Sequence, residues 1–128
     1  MAQRIKLLIV DDNEQLRHSL AGFFNEYSGI NVVGTAVSGS EAVQLCAEVL
    51  PDIVLMDLRM PGGNGIMATQ AIHEQHPDIQ VIALTSGFLV EAEEAIAAGA
   101  SAYIFKSVSI YEILETIRKT YAEKRAMR

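Results

Sequence analysis

Leu7-Leu8-Ile9-Val10-Asp11-Asp12-Asn13 is the stretch whose reading decides the fold. Four consecutive apolar residues predict a strand buried on both faces. Two adjacent carboxylates then stand where that strand ends. Acids held side by side at the end of a buried strand repel each other, so a cation, a lysine or an arginine has to offset the cost. Ile53-Val54-Leu55-Met56-Asp57 repeats the grammar, an apolar run closed by a carboxylate. If the two runs are neighbours in a parallel sheet, ~4.8 Å apart, Asp11, Asp12 and Asp57 converge at its C-terminal edge. Open α/β sheets bind their ligands at that edge.

The same alternation extends through the chain. Strands are expected at Lys6–Val10, Ile30–Ala36, Ile53–Asp57, Gln80–Leu84 and Ala102–Phe105. Helical stretches lie between and after them, at Glu14–Tyr27, Ser40–Leu50, Gly65–Gln75, Glu91–Ala98 and Ile110–Ala122. Leu16, Leu20, Phe23, Phe24 and Tyr27 keep a 3.6-residue rhythm, as do Ile110, Ile113, Leu114, Ile117 and Tyr121. Ser38-Gly39-Ser40-Glu41 fits a capping box, with Glu41 reaching back. Pro51 and Pro77 stop helices, and Gly99 marks a helix C-terminus. Strict βα alternation implies an α/β fold: a parallel sheet with right-handed crossovers and helices on both faces.

The chain has 128 residues, the size of a single domain, and is 50% hydrophobic, enough for a real core. Its net charge of -6 makes its own surface a poor grip for nucleic acid. The basic cluster of Arg118, Lys119, Lys124, Arg125 and Arg128 reads as a solvated helix end, where cations suit the dipole. Cys46 is the sole cysteine and reads as a small core residue, with no disulfide within the chain. Met1-Ala2-Gln3-Arg4 does not lead into a signal peptide, and no run approaches the ~20 apolar residues of a membrane span, so a cytoplasmic location is expected.

Two more strand ends carry chemistry. Ala83-Leu84-Thr85-Ser86 places a hydroxyl there, and Tyr103-Ile104-Phe105-Lys106 an ammonium. An edge with three carboxylates, a hydroxyl and a lysine has the chemistry of a magnesium–phosphoryl site. Mg²⁺ takes hard oxygen ligands and keeps several waters. A further carboxylate can act as nucleophile on phosphorus, where charge neutralisation matters more than covalent machinery.

These residues resemble the receiver domain of two-component response regulators. The resemblance runs over residues 5–122, with 123–128 as a tail or the start of a linker, so that 1–128 is one receiver domain. It rests on Asp11-Asp12, on Pro51 to Asp57 followed by Met60-Pro61-Gly62-Gly63-Asn64-Gly65, on Leu84-Thr85-Ser86, and on Gly99-Ala100-Ser101-Ala102-Tyr103 with Lys106. It implies a doubly wound, flavodoxin-like (βα)5 fold with strand order 2-1-3-4-5. It makes Asp57 the phosphoacceptor, with Lys106 and Thr85 binding the phosphoryl oxygens. Asp12, Asp11, Asp57 and the backbone carbonyl of Arg59 become ligands of Mg²⁺, or of Mn²⁺ in its place. Thr85 and Tyr103 become the switch residues. The implied partners are a sensor histidine kinase and an output domain or protein at the face of the fourth helix and fifth strand, with homodimerisation on phosphorylation left open. DNA would be reached only through an output domain absent from this chain, no membrane is involved, and the chain is no enzyme beyond its own phosphorylation and dephosphorylation.

Three departures stand out. Ser107 follows the lysine where many receivers have a cis proline, so a trans bond is expected. Receivers of helix-turn-helix regulators often lack that proline too, which points to control of transcription. Thr85 to Gly99 is one residue shorter than usual. Phe88-Leu89-Val90 is apolar, a partner patch if exposed and an anchor if buried. A stand-alone receiver acting by protein contacts or phosphorelay is the alternative within the family. A Mg²⁺-dependent phosphohydrolase is disfavoured, because the second acid it needs two residues after the nucleophile is Arg59 here. A nucleotide carrier is disfavoured by the acids after the first strand, which repel phosphate. Taken singly the residues have plainer readings: Asp11-Asp12 as a helix cap, Tyr103 as core, and His18, His73 and His76 as surface residues.

Overall fold

The computed structural model describes residues 4–60 and 63–127. Every expected apolar run is a strand: β1 Ile5–Val10, β2 Ile30–Ala36, β3 Ile53–Asp57, β4 Gln80–Thr85 and β5 Ala102–Phe105. The helices are α1 Glu14–Asn25, α2 Gly39–Val49, α3 Gly65–Gln75, α4 Leu89–Ala97 and α5 Ile110–Ala126. The five strands form one parallel sheet in the order β2-β1-β3-β4-β5. This is the doubly wound order that the resemblance implied. A small antiparallel ribbon, Arg59–Met60 with Gly63–Asn64, was not expected from the sequence. Pro61 and Gly62 of the quoted loop motif lie outside the described residues, as do Met1–Gln3 and Arg128.

Period-two alternation sorts the strand residues onto two cores. Leu7, Ile9, Ile53, Leu55, Ile82 and Leu84 pack with Leu20 and Phe24 of α1 and Ile113, Leu114 and Ile117 of α5. Leu8, Val10, Val54, Met56, Val81 and Ala83 pack with Ala42 and Cys46 of α2, Ala68 and Ile72 of α3 and Ala95 of α4. Both faces of β3 are covered, and all five of its residues are buried. Its continuous apolar run follows from that, since a strand covered on both sides has no polar-facing positions.

The helix ends depart from the sequence reading in instructive ways. α1 stops at Asn25 rather than Tyr27. α4 starts at Leu89 rather than Glu91, behind Phe88, which gives no side-chain cap. α5 runs four residues past Ala122, because its last turns have a partner. Lys124 Nζ lies 3.4 Å from Asp52 Oδ1, with its side chain only 10% exposed. The other Asp52 oxygen accepts from the Lys6 amide at 2.9 Å. The basic helix end is therefore not simply solvated: Lys124 ties α5 to the N-terminal edge of the sheet. Ser38 caps α2 as expected, accepting from the Glu41 amide at 3.2 Å, but Glu41 reaches back to the Val37 amide rather than to that of Ser38. Gly99 takes φ +116, with no room for a Cβ above the His73 ring.

Leu50 closes α2 with φ 45 and ψ 64, the left-handed region, while the residue is 54% exposed. That backbone costs an ordinary L-residue about 1–2 kcal/mol, and asparagine visits it more readily. Leu50→Asn therefore raises stability by about 0.5–1 kcal/mol, a shift of roughly 2–6 °C in the thermal midpoint for a chain of this length. Calorimetry checks this; an unchanged or lower midpoint would mean the left-handed turn carries no strain.

Candidate functional site

Register assembles the site. Val10 pairs with Met56 across β1 and β3, so the next residues of the two strands, Asp11 and Asp57, stand side by side at the C-terminal edge. Asp57 pairs with Leu84, which brings Thr85 next to it on β4. Thr85 pairs with Phe105, and its carbonyl accepts from the Lys106 amide at 2.8 Å. Residues up to 95 positions apart thus share one edge because all four strands run the same way.

The three carboxylates each offer an oxygen within 4.8 Å of the others. Asp57 and Asp11 are almost wholly buried, while Asp12 is exposed. Lys106 Nζ lies 3.1 Å from Asp57 Oδ1 and 3.5 Å from Asp11 Oδ2. Backbone amides complete the shell: Asn13 donates to Asp11 Oδ1 at 2.9 Å and Arg59 donates to Asp57 Oδ1 at 3.1 Å. Even so, burial pushes the Asp57 carboxyl up to about 6 from its ordinary 3.8. Lys106 pulls it down, Asp11 adds to the rise, and the desolvation of a buried anion wins.

Thr85 Oγ1 is the one buried side-chain oxygen or nitrogen, among the described residues, that has no hydrogen-bond partner. An unsatisfied buried hydroxyl costs about 1–3 kcal/mol and calls for an explanation. Here it stands beside Asp57 and Lys106, where the oxygen of a bound group would satisfy it. The acids suit a hard divalent cation: Asp11, Asp12 and Asp57 would hold Mg²⁺ through carboxylate oxygens, the hard donors that ion takes. A solvated surface cluster is excluded by the burial of Asp11 and Asp57.

The structure brings together Asp11, Asp12, Asp57, Thr85 and Lys106. The helix cap is neither acid but Asn13, whose side chain accepts from the Leu16 amide at 3.0 Å; Asn immediately before the helical rhythm was the signal for it. Tyr103 is 39% exposed, its ring edge-to-face with Phe105 at 5.6 Å, so it points outward rather than into the core. Phe88, Leu89 and Val90 are all more than half exposed, which settles that run as surface rather than anchor. The described residues contain no cis peptide bond, in line with the trans bond expected before Ser107.

Three contacts escaped the sequence reading. Arg17 of α1 donates to the Asp11 carbonyl at 2.9 Å, and no local pattern ties it to that residue. Gly65 opens α3 so close to β3 that a Cβ would overlap the Asp57 carbonyl oxygen and sit 2.7 Å from Leu58 Cα. The Arg59 side chain turns to Glu91, with Nε 3.1 and 3.2 Å from its two oxygens, and lies over the Phe88 ring at 4.4 Å.

Residues 7–118 match the model of the response regulator receiver domain. The chain belongs to that family. The receiver is 40% identical over 120 residues to the response regulator protein VraR of Staphylococcus saprophyticus, covering 91% of this chain and 56% of the relative. It therefore spans a little over half the length of that relative. Among solved structures it is similar to a LuxR-family two-component response regulator from Aurantimonas (TM-score 0.89, 32% identity, 94% of this chain and 87% of the other covered). It is also similar to a chain in the CheX–CheY–BeF3–Mg complex from Borrelia burgdorferi (TM-score 0.85, 27% identity, 93% and 90% covered).

The raised Asp57 pKa makes stability fall as pH rises. Between about 3.8 and 6 the folded receiver binds more protons than the unfolded chain, so the penalty grows across that window and is complete above it. In chelator at pH 7, Asp57→Asn is therefore more stable than the parent by about 1–3 kcal/mol, and the difference closes toward pH 4. Denaturant melts at the two pH values check this; a variant less stable than the parent at pH 7 would show that the Lys106 pairing outweighs desolvation.

Proposed function

We propose that this chain is the phosphoacceptor module of a two-component regulator, taking a phosphoryl group onto Asp57 from a sensor histidine kinase. The observation that carries the reading is a buried carboxylate facing one ammonium, beside a buried hydroxyl with no partner. A P–O bond to an Asp57 oxygen forms as the donor's P–O or P–N bond breaks. Lys106 and Thr85 bind the phosphoryl oxygens. Asp12, Asp11, Asp57 and the Arg59 carbonyl would hold Mg²⁺, with Mn²⁺ as a substitute; when bound, the ion neutralises charge on the phosphoryl group. Without it, three acids oppose Lys106 alone, and an incoming phosphate meets a net negative site.

The output reading follows from the relatives. A similar solved structure from Staphylococcus aureus is of a DNA-binding response regulator of the LuxR family, and this chain covers 56% of VraR, so a DNA-binding output beyond the receiver fits. No helix among the described residues is long and apolar enough to cross a membrane. Phe88, Leu89, Val90, Ile96 and Tyr103 are the exposed apolar residues of α4, its approach and β5, and form the face that an output partner would read.

Treatment with acetyl phosphate and Mg²⁺ adds one phosphoryl mass to the wild type, seen by intact-mass spectrometry. Excess chelator or Asp57→Asn abolishes it. Equal labelling of Asp57→Asn would place the acceptor elsewhere.

Phosphorylation draws Thr85 toward the new oxygens and leaves a gap into which the Tyr103 ring turns. Two charge-assisted hydrogen bonds, about 1.5–3 kcal/mol each, approach the ~5.5 kcal/mol that swings a two-state population from 1:99 to 99:1. Thr85→Ala accordingly takes up the phosphoryl group while its Tyr103 ring resonances stay at their unphosphorylated positions. Tyr103 shifts in phosphorylated Thr85→Ala that match those of phosphorylated wild type would rule this route out.

A further inference from the structure

We propose that the Arg59 side chain is a movable cation of the phosphoryl site, held off it by Glu91 and Phe88 until an anionic phosphoryl donor recruits it. The inference rests on the reading of Asp57 as phosphoacceptor and adds to it a donor-positioning residue with a built-in restraint.

Arg59 is tethered at the site. Its amide nitrogen is 3.1 Å from Asp57 Oδ1. With an N–Cα bond of about 1.46 Å, its Cα lies no more than about 4.6 Å from that oxygen. An arginine side chain is longer than this, so a group on Asp57 lies within the reach of its guanidinium. The planar fork of the guanidinium suits phosphate oxygens.

In the resting structure the guanidinium is engaged elsewhere. Nε lies between the two Glu91 oxygens at 3.1 and 3.2 Å, and the plane covers Phe88 at 4.4 Å. Both partners belong to the start of α4: Phe88 is its N-cap residue, without a side-chain cap, and Glu91 is in its first turn. The restraint is weak by construction. The Arg59 side chain is 53% exposed and that of Glu91 23%, and ion pairs so open to water are easily exchanged. A phosphoryl dianion offers more charge than one carboxylate and sits where solvent screens it less.

The exchange has two consequences. The donor meets a second cation besides Lys106, at a mouth otherwise lined by three acids. The start of α4 loses its tie to Arg59, two residues past the end of β3, next to the exposed run Phe88-Leu89-Val90. One guanidinium therefore links the capture of the donor to the freedom of α4.

The test is a double-mutant cycle on the full chain with Mg²⁺ and acetyl phosphate. The P–O bond to acetate breaks as the bond to Asp57 forms, and acetate leaves as the anion. Intact-mass spectrometry gives the second-order rate constant at low donor concentration. Glu91→Gln raises it about 2–5-fold, the range that release of a partly exposed ion pair supports. Arg59→Ala lowers it, and adding Glu91→Gln to Arg59→Ala changes nothing, because the freed partner is missing. The Arg59 Nε–H resonance of the wild type moves on phosphorylation toward its position in Glu91→Gln. A Glu91→Gln effect of equal size with and without Arg59 would reduce Glu91 to a repelling charge and overturn the proposal, as would an Arg59 resonance that phosphorylation leaves in place. A wild type that takes up no phosphoryl group removes the phosphoacceptor reading and this one with it; a labelled wild type with a flat cycle removes this one alone.

Discussion

The contact between Lys106 and the buried carboxylates of Asp57 and Asp11 is the interaction on which the site depends. Two acids are held side by side out of water, and one ammonium from another strand opposes their repulsion. The ammonium does not offset the cost of burial, and desolvation still holds the Asp57 carboxyl up at about 6. A site in this condition is primed for positive charge and for a group that carries its own counterion. The cost is borne by the two cores beneath it, where strands buried on both faces leave little room for the acids to move apart.

That rigidity also sets what can move at this edge. Asp57, Thr85 and Lys106 are joined through main chain: the Leu58 amide donates to the Leu84 carbonyl and the Lys106 amide to the Thr85 carbonyl. Side chains at the strand ends are freer than the backbone that carries them. The Thr85 hydroxyl lacks a partner, Lys106 is partly exposed and the Arg59 guanidinium rests on surface residues. What is free to change at this edge is the choice of side-chain partners over a fixed sheet, and the partner of Arg59 lies on α4.

The opposite edge of the sheet has a different task. Asp52 binds the Lys6 amide with one oxygen and Lys124 with the other, so β1, β3 and the last turns of α5 are tied together there. The carboxylates and Lys106 thus stand at one edge and the anchorage at the other. The division follows from parallel strands, which gather all their C-terminal ends on one side.

Much of this was legible in the linear chain. Apolar runs closed by Asp11 and Asp57 specify buried parallel strands with acids at one edge, since continuous hydrophobicity and period 3.6 are local consequences of burial and of helix geometry. The resemblance carried by Asp57, Thr85 and Lys106 named the family. What the tertiary structure decided depends on distance across the fold. Arg17 on the Asp11 carbonyl, Gly65 against the Asp57 backbone, Arg59 on Glu91 and Lys124 on Asp52 each join residues that no short-range pattern connects. Whether Phe88-Leu89-Val90 faces water was equally beyond the sequence, because an apolar run reads the same whether a neighbour covers it or not. Local propensity and hydrophobic period set the strands, the helices and their order; pairing of charges and the covering of surfaces are properties of three-dimensional neighbours, and only the packed sheet supplies those.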